Sequence, residues 1–214
     1  MKRSASKAGI LVATSFFLLA CSLLTFPNTV ADVPPTSTPL PEIPVEEQPT
    51  VSSVGLENEN LLTDVPVGFK VGYQAEQGNQ SITEMITEGE TVEDWSTMVT
   101  VQIYLGETNT TPTQAQDNMT QAWFNACENS ETYPIADGDE NGYPFVLWEL
   151  YCPLNPSTQK EEYAFLKAMQ GNDSFYLVQV AFRHEPSDDE ITQWMQYLKG
   201  VQVCDSRIAE QACP

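Results

Sequence analysis

Between Tyr163 and Asp205 the chain reads YAFLKAMQ, GNDS, FYLVQVAFRHE, PSDDEITQWMQYLKG and VQVCD. Few arrangements satisfy that stretch. Gly171-Asn172-Asp173-Ser174 is a run of turn formers between two apolar segments, which predicts a hairpin. After the turn, Tyr176, Val178, Val180 and Phe182 alternate with Phe175, Leu177, Gln179 and Ala181. The first set is wholly apolar and the second is mixed, as in a strand with at least one buried face. Ser187 and Glu190 then have capping-box spacing, with Pro186 just before them. Ile191, Trp194, Met195 and Leu198 follow at helical spacing and form one stripe to lay on a sheet. Lys199 suits the negative end of that helix, and Gly200 suits its stop.

The rest of the chain supplies partners for this core. Phe69, Val71, Tyr73 and Ala75 predict one strand, Ser81 to Glu88 a second, and Val99, Val101, Ile103 and Leu105 a third. Thr91 to Trp95 has the spacing for one capped helical turn. Thr111 and Pro112 open a real helix, with Ala115, Met119, Ala122, Trp123 and Ala126 on one stripe. Tyr143 to Cys152 is apolar on both faces, which predicts a strand in mid-sheet with something packed on each side. A further strand around Glu131–Ala136 is optional. The resulting order, βββαβββαβ, indicates an α+β domain: a mainly antiparallel sheet flanked by two helices.

The region before the fold is of a different kind. Lys2, Arg3 and Lys7 precede a mostly apolar run from Ile10 to Phe26, and Val30-Ala31 offers small residues for cleavage. Residues 1–31 therefore read as a secretory signal peptide. The alternative is a lipoprotein signal with Cys21 lipidated, since Leu18-Leu19-Ala20-Cys21 has the form of a lipobox. Residues 32–58 form a proline-rich linker that cannot bury apolar surface. Residues 59–214 form the single folded domain, large enough to bury a sizeable core. The chain is expected in the periplasm or outside the cell, with no membrane span once the leader is gone.

Export gives the cysteines their meaning. Apart from Cys21, four remain: Cys127, Cys152, Cys204 and Cys213. An even number in an oxidising compartment implies two disulfides, for which three pairings exist. Cys127 lies at the edge of a helical stripe and Cys152 on the strand face beneath it, so the expected pairs are Cys127–Cys152 and Cys204–Cys213. One histidine, His184, is too few for a zinc site of Cys/His type.

Charge narrows the partners. The leader holds three of the nine basic residues and none of the thirty acids, so the exported chain carries six against thirty, a net of −24. Nucleic acid is an unsuitable partner for such a surface. A basic protein is a suitable one. Asp137-Gly138-Asp139-Glu140-Asn141-Gly142 matches the opening of a calcium loop, so Asp137, Asp139 and Asn141 are the candidate ligands. The twelfth position, however, is Trp148 rather than glutamate. Glu84 and Glu149 stand in strand patterns and are the carboxylates to watch for acid/base work. No nucleophile elbow, phosphate loop or metalloprotease motif is present in the sequence, and no cofactor is implied.

The blocks GNQSITEMITEGETVEDWSTMVTVQ (78–102), ENGYPFVLWELYCPLNPSTQK (140–160) and KAMQGNDSFYLVQVAFR (167–183), with VCDSR (203–207) and the closing CP, resemble a group of uncharacterised exported bacterial proteins across nearly all of 66–214. That resemblance implies bacterial export and carries no activity with it. In element order the domain also resembles the PsbP-like α/β/α sandwich, whose members mostly serve as accessory or docking modules. The expectation is an exported, non-catalytic domain that binds a protein partner or assists a cell-envelope process. The alternative is an enzyme acting on cell-envelope glycans through scattered carboxylates.

Overall fold

The computed structural model describes residues 57–213. The expected leader, its cleavage site, Cys21 and nearly all of the linker lie outside the described residues. Within them run nine strands, two α-helices and a short 3-10 turn, in the order β1 (Glu59–Leu62), β2 (Phe69–Gln77), β3 (Gln80–Thr87), β4 (Thr97–Leu105), α1 (Pro112–Ala126), β5 (Glu131–Glu140), β6 (Tyr143–Cys152), β7 (Glu162–Gln170), β8 (Ser174–Phe182), α2 (Asp188–Gly200) and β9 (Gln202–Asp205).

Seven strands form one sheet in the order β2-β3-β4-β8-β7-β6-β5, and β1 pairs separately with β9. Every pairing is antiparallel. The sheet is two meanders, β2-β3-β4 and β5-β6-β7-β8, joined where β8 lies against β4. That places β8 at the centre, as its two apolar faces require. Val178, Val180 and Phe182 look into one core and Phe175, Leu177 and Ala181 into the other. The first core is closed by Trp194 and Leu198 of α2, the second by Ala115 of α1 with Met119 and Trp123 packed beside it.

Both helices start as their sequences require. Thr111 accepts from the Gln114 amide and Ser187 from the Glu190 amide, and each box is closed by the return bond. The stripe of α1 is narrower than its apolar spacing predicts, because Ala122 and Ala126 are exposed. Alanine costs little there, since it has almost no apolar surface to hide. Thr91–Trp95 forms bends rather than a helical turn. The Asp94 amide does donate to Thr91 Oγ1 at 3.2 Å, so the cap bond exists without a helix behind it.

The strand Tyr143–Cys152 lies one place in from the edge, between β5 and β7, rather than in mid-sheet. Val146, Trp148, Leu150 and Cys152 are buried beneath α1, while Phe145, Leu147 and Tyr151 on the other face are only half-buried. Cys127 ends α1 directly over this strand, and the Cys127–Cys152 disulfide joins the two, with Cα atoms 5.9 Å apart. Cys204 of β9 is joined to Cys213, with Cα atoms 4.9 Å apart.

Candidate functional site

Three clusters of ionisable groups stand out, and the sequence singled out only part of one. The first centres on Lys167 of β7. Its register partners are Leu147 and Val178, so its side chain enters the α2-side core. It is 1% exposed. The ammonium donates to the carbonyls of Leu198 at 2.9 Å and Val201 at 2.8 Å, and to Glu140 Oε2. The Phe145 ring lies 5.0 Å away. Burial lowers the Lys167 pKa, and Glu140 offsets part of that effect. A lysine with a lowered pKa in an apolar setting has the makings of a nucleophile. Here, however, all three N–H donors are committed, two of them to carbonyls that α2 leaves unpaired at its end. The group is a fastening between sheet, helix and the β5–β6 hairpin.

The second cluster surrounds Glu59, near the start of the described chain. Its carboxylate accepts from the amides of Asn172 (2.5 Å), Asp173 (3.2 Å) and Ser174 (3.1 Å), and from the Tyr176 hydroxyl at 2.9 Å. The β7–β8 turn thus forms a nest of N–H groups that an anion fills, and the anion is this chain's own side chain. Beside it, Arg207 pairs with Asp173 at 2.6 Å and with buried Asp205 at 2.5 Å. Hydrogen bonds from Arg207 hold Asp205 below its ordinary value. Burial, with Glu59 nearby, pushes the Tyr143 hydroxyl up to about 12.

The third cluster is a pocket of about 390 Å³ at the end of β8, bounded by the β3–β4 loop, Lys160, Arg183 and His184. Arg183 stacks on Trp95 with its guanidinium carbon 3.9 Å from the ring centre. His184 Nε2 lies 3.1 Å from Glu190 Oε1. Glu90 is held by the amide and hydroxyl of Ser96, at 3.1 and 2.7 Å. A larger groove of about 580 Å³ runs between Leu61–Asp64 and the end of α2, but its ionisable lining residues are only Asp64 and Tyr197.

The carboxylates suggested by the strand patterns do not converge. Glu84 pairs in register with Thr100 and shares the α1 face, whereas Glu149 pairs with Phe165 on the α2 face. Burial raises the pKa of each. With the sheet between them, they cannot flank one bond. Asp137 and Asp139 lie on the exposed strand β5. Asn141 forms the following turn at φ 51° and donates to the Val203 carbonyl at 2.9 Å. Among the described residues no group of three or more His, Cys, Asp or Glu is placed to hold a metal ion. Trp95, Trp148 and Trp194 are buried, and Trp123 is half-buried against the α1-side core.

No protein-family model matches the chain, and no curated protein matches it. Among solved structures, the chain is similar to the solution structure of cyanobacterial PsbP (CyanoP) from Synechocystis sp. PCC 6803. The identity is 12%, the match covers 71% of this chain and 96% of that one, and the TM-score is 0.38. This is the same distant, fold-level likeness that the element order suggests, and no functional residue is transferred from it. Among the described residues no helix is long and apolar enough to cross a membrane.

Proposed function

We propose that the domain is an exported, non-catalytic module, periplasmic or extracellular, that engages a basic protein partner. The supporting observation is where its few cations go. Of the six basic residues outside the leader, Lys167 is spent on Glu140 and helix carbonyls and Arg207 on Asp173 and Asp205. The remaining four cannot balance the acid excess, which favours fast capture of a positively charged protein.

The outer side of β5 is the best-suited contact surface. Glu131 and Tyr133 are exposed on its α2 face and Asp137 and Asp139 on its α1 face, with Ile135 exposed at the irregularity between them. Pro134 and the irregularity between Pro134 and Ala136 interrupt the strand, which blocks simple strand addition. Recognition would then fall to side chains, apolar in the middle and acidic around them.

The test is capture from a periplasmic or culture extract at low and high salt, followed by association kinetics with the captured protein. A basic partner whose association slows steeply with salt, and slows again with D137K/D139K, supports the proposal. A partner indifferent to both salt and the charge reversal overturns it.

A further inference from the structure

The pocket at the end of β8 has a property the acidic surface does not share. Of the six basic residues outside the leader, Lys160 and Arg183 line it, together with the only histidine of the chain. Arg183 donates from Nη1 to the Glu93 carbonyl at 3.0 Å. Its Nε is closed to solvent, so a ligand in the pocket can meet the guanidinium only at its Nη end. A guanidinium offers five donors in a planar fork. Stacking on Trp95 fixes the plane of the fork without using its N–H groups.

We infer that this pocket is a binding site for a small monocarboxylate, whose two oxygens meet the Nη1/Nη2 end of the Arg183 fork while Lys160 supplies a second positive charge. Bidentate pairing of a guanidinium with a carboxylate is matched in geometry and among the stronger polar contacts. The choice of a singly charged ligand follows from the other walls. Glu90 and Asp94 also line the pocket, and the chain as a whole is strongly negative. A doubly charged phosphate would meet twice that repulsion at the same fork. The site therefore selects by short-range geometry against an unfavourable long-range field. This predicts that binding tightens, rather than weakens, as salt screens the field.

The experiment is a titration of the isotope-labelled full chain with sodium acetate, following the Arg183 Nε–H and Trp95 indole resonances, with sodium phosphate and sodium chloride as parallel arms. Saturable movement of the Arg183 resonance by acetate, with phosphate weaker, is the expected result. Arg183→Lys keeps the charge and loses the fork, so affinity should fall about tenfold. Glu90→Gln keeps an acceptor for Ser96 and removes a repelling charge, so acetate should bind about threefold more tightly. This second variant gives a reading even where Arg183→Lys disturbs the fold. A linear, non-saturating response in the wild-type chain overturns the inference. So does acetate affinity unchanged in both variants, or chloride reproducing the acetate response.

Discussion

The ammonium of Lys167 lies 2.8 Å from the carbonyl oxygen of Val201, the residue that closes α2. A charge from the middle of a β-strand thus finishes a helix on the sheet above it. Removing it leaves two buried helix carbonyls without donors and Glu140 without its cation. Lys167→Met should destabilise the domain by about 3 kcal/mol, read as a lower urea midpoint at unchanged slope. A loss below about 0.5 kcal/mol would show that the pairing contributes nothing net.

Glu59 and Gly171 are coupled in the same manner. A Cβ built on Gly171 would collide with Glu59 Oε1. Gly171→Ala should therefore evict the carboxylate from its nest, at a cost of about 2 kcal/mol, and Glu59→Ala should cost about the same. Because both changes remove one interaction, the double variant should be no worse than either single one, well short of additivity. Equilibrium unfolding of the four proteins completes the cycle, and additive losses would separate the two residues.

The pH dependence of stability should peak on the acid side. Burial raises Glu84, Glu149 and Glu162 above their ordinary 4.5. Each takes up its proton in the folded state first, so stability rises as pH falls from neutral toward that value. Asp205 is held below its ordinary 3.8 by hydrogen bonds from Arg207, and Glu190 below its ordinary 4.5 by hydrogen bonds from Ser187. Their contribution is complete above the unfolded values and is lost as pH falls through the folded ones. Melting temperature should therefore be highest at about pH 4 to 5. Calorimetry showing a maximum at pH 7 or above would contradict this assignment.

The two disulfides should contribute unequally. Cys127–Cys152 spans 25 residues and Cys204–Cys213 spans 9. By loop-closure entropy, removing the first as a double alanine variant should cost about 3.5 kcal/mol and the second about 2.5 kcal/mol. Chemical unfolding of each pair variant measures both.

Much of this fold could be read in the residues because its strongest signals are local. The turn at Gly171–Ser174, both capping boxes and the placing of Cys127 over Cys152 depend on neighbours within one or two elements. What escaped depends on distance or on exposure. Strand β1 is four residues long and gains its identity from β9, with Glu59 opposite Asp205. Strand β5 reads ETYPIADGDE and is mostly exposed, so it has no alternation to betray it. Lys167 could have been noticed as a charge at an inward position of a buried strand. The pocket of Lys160, Arg183 and the 89–96 loop has no sequence signal, because three separate segments meet there only after folding. The same holds for Glu84 and Glu149, whose opposite faces follow from register alone.

Because β1 runs antiparallel to β9 with Glu59 opposite Asp205, the chain enters and leaves this small ribbon at the same end. Tension applied between the segment before Glu59 and the segment after Asp205 would peel the ribbon open one hydrogen bond at a time, not slide its strands past each other. The first rungs to be loaded are those reinforced by the Glu59 nest, the Arg207 pairs and the Cys204–Cys213 clasp. The mechanical strength of the domain is thus concentrated where a tether would tug, and the wide sheet behind it carries no load until that corner yields.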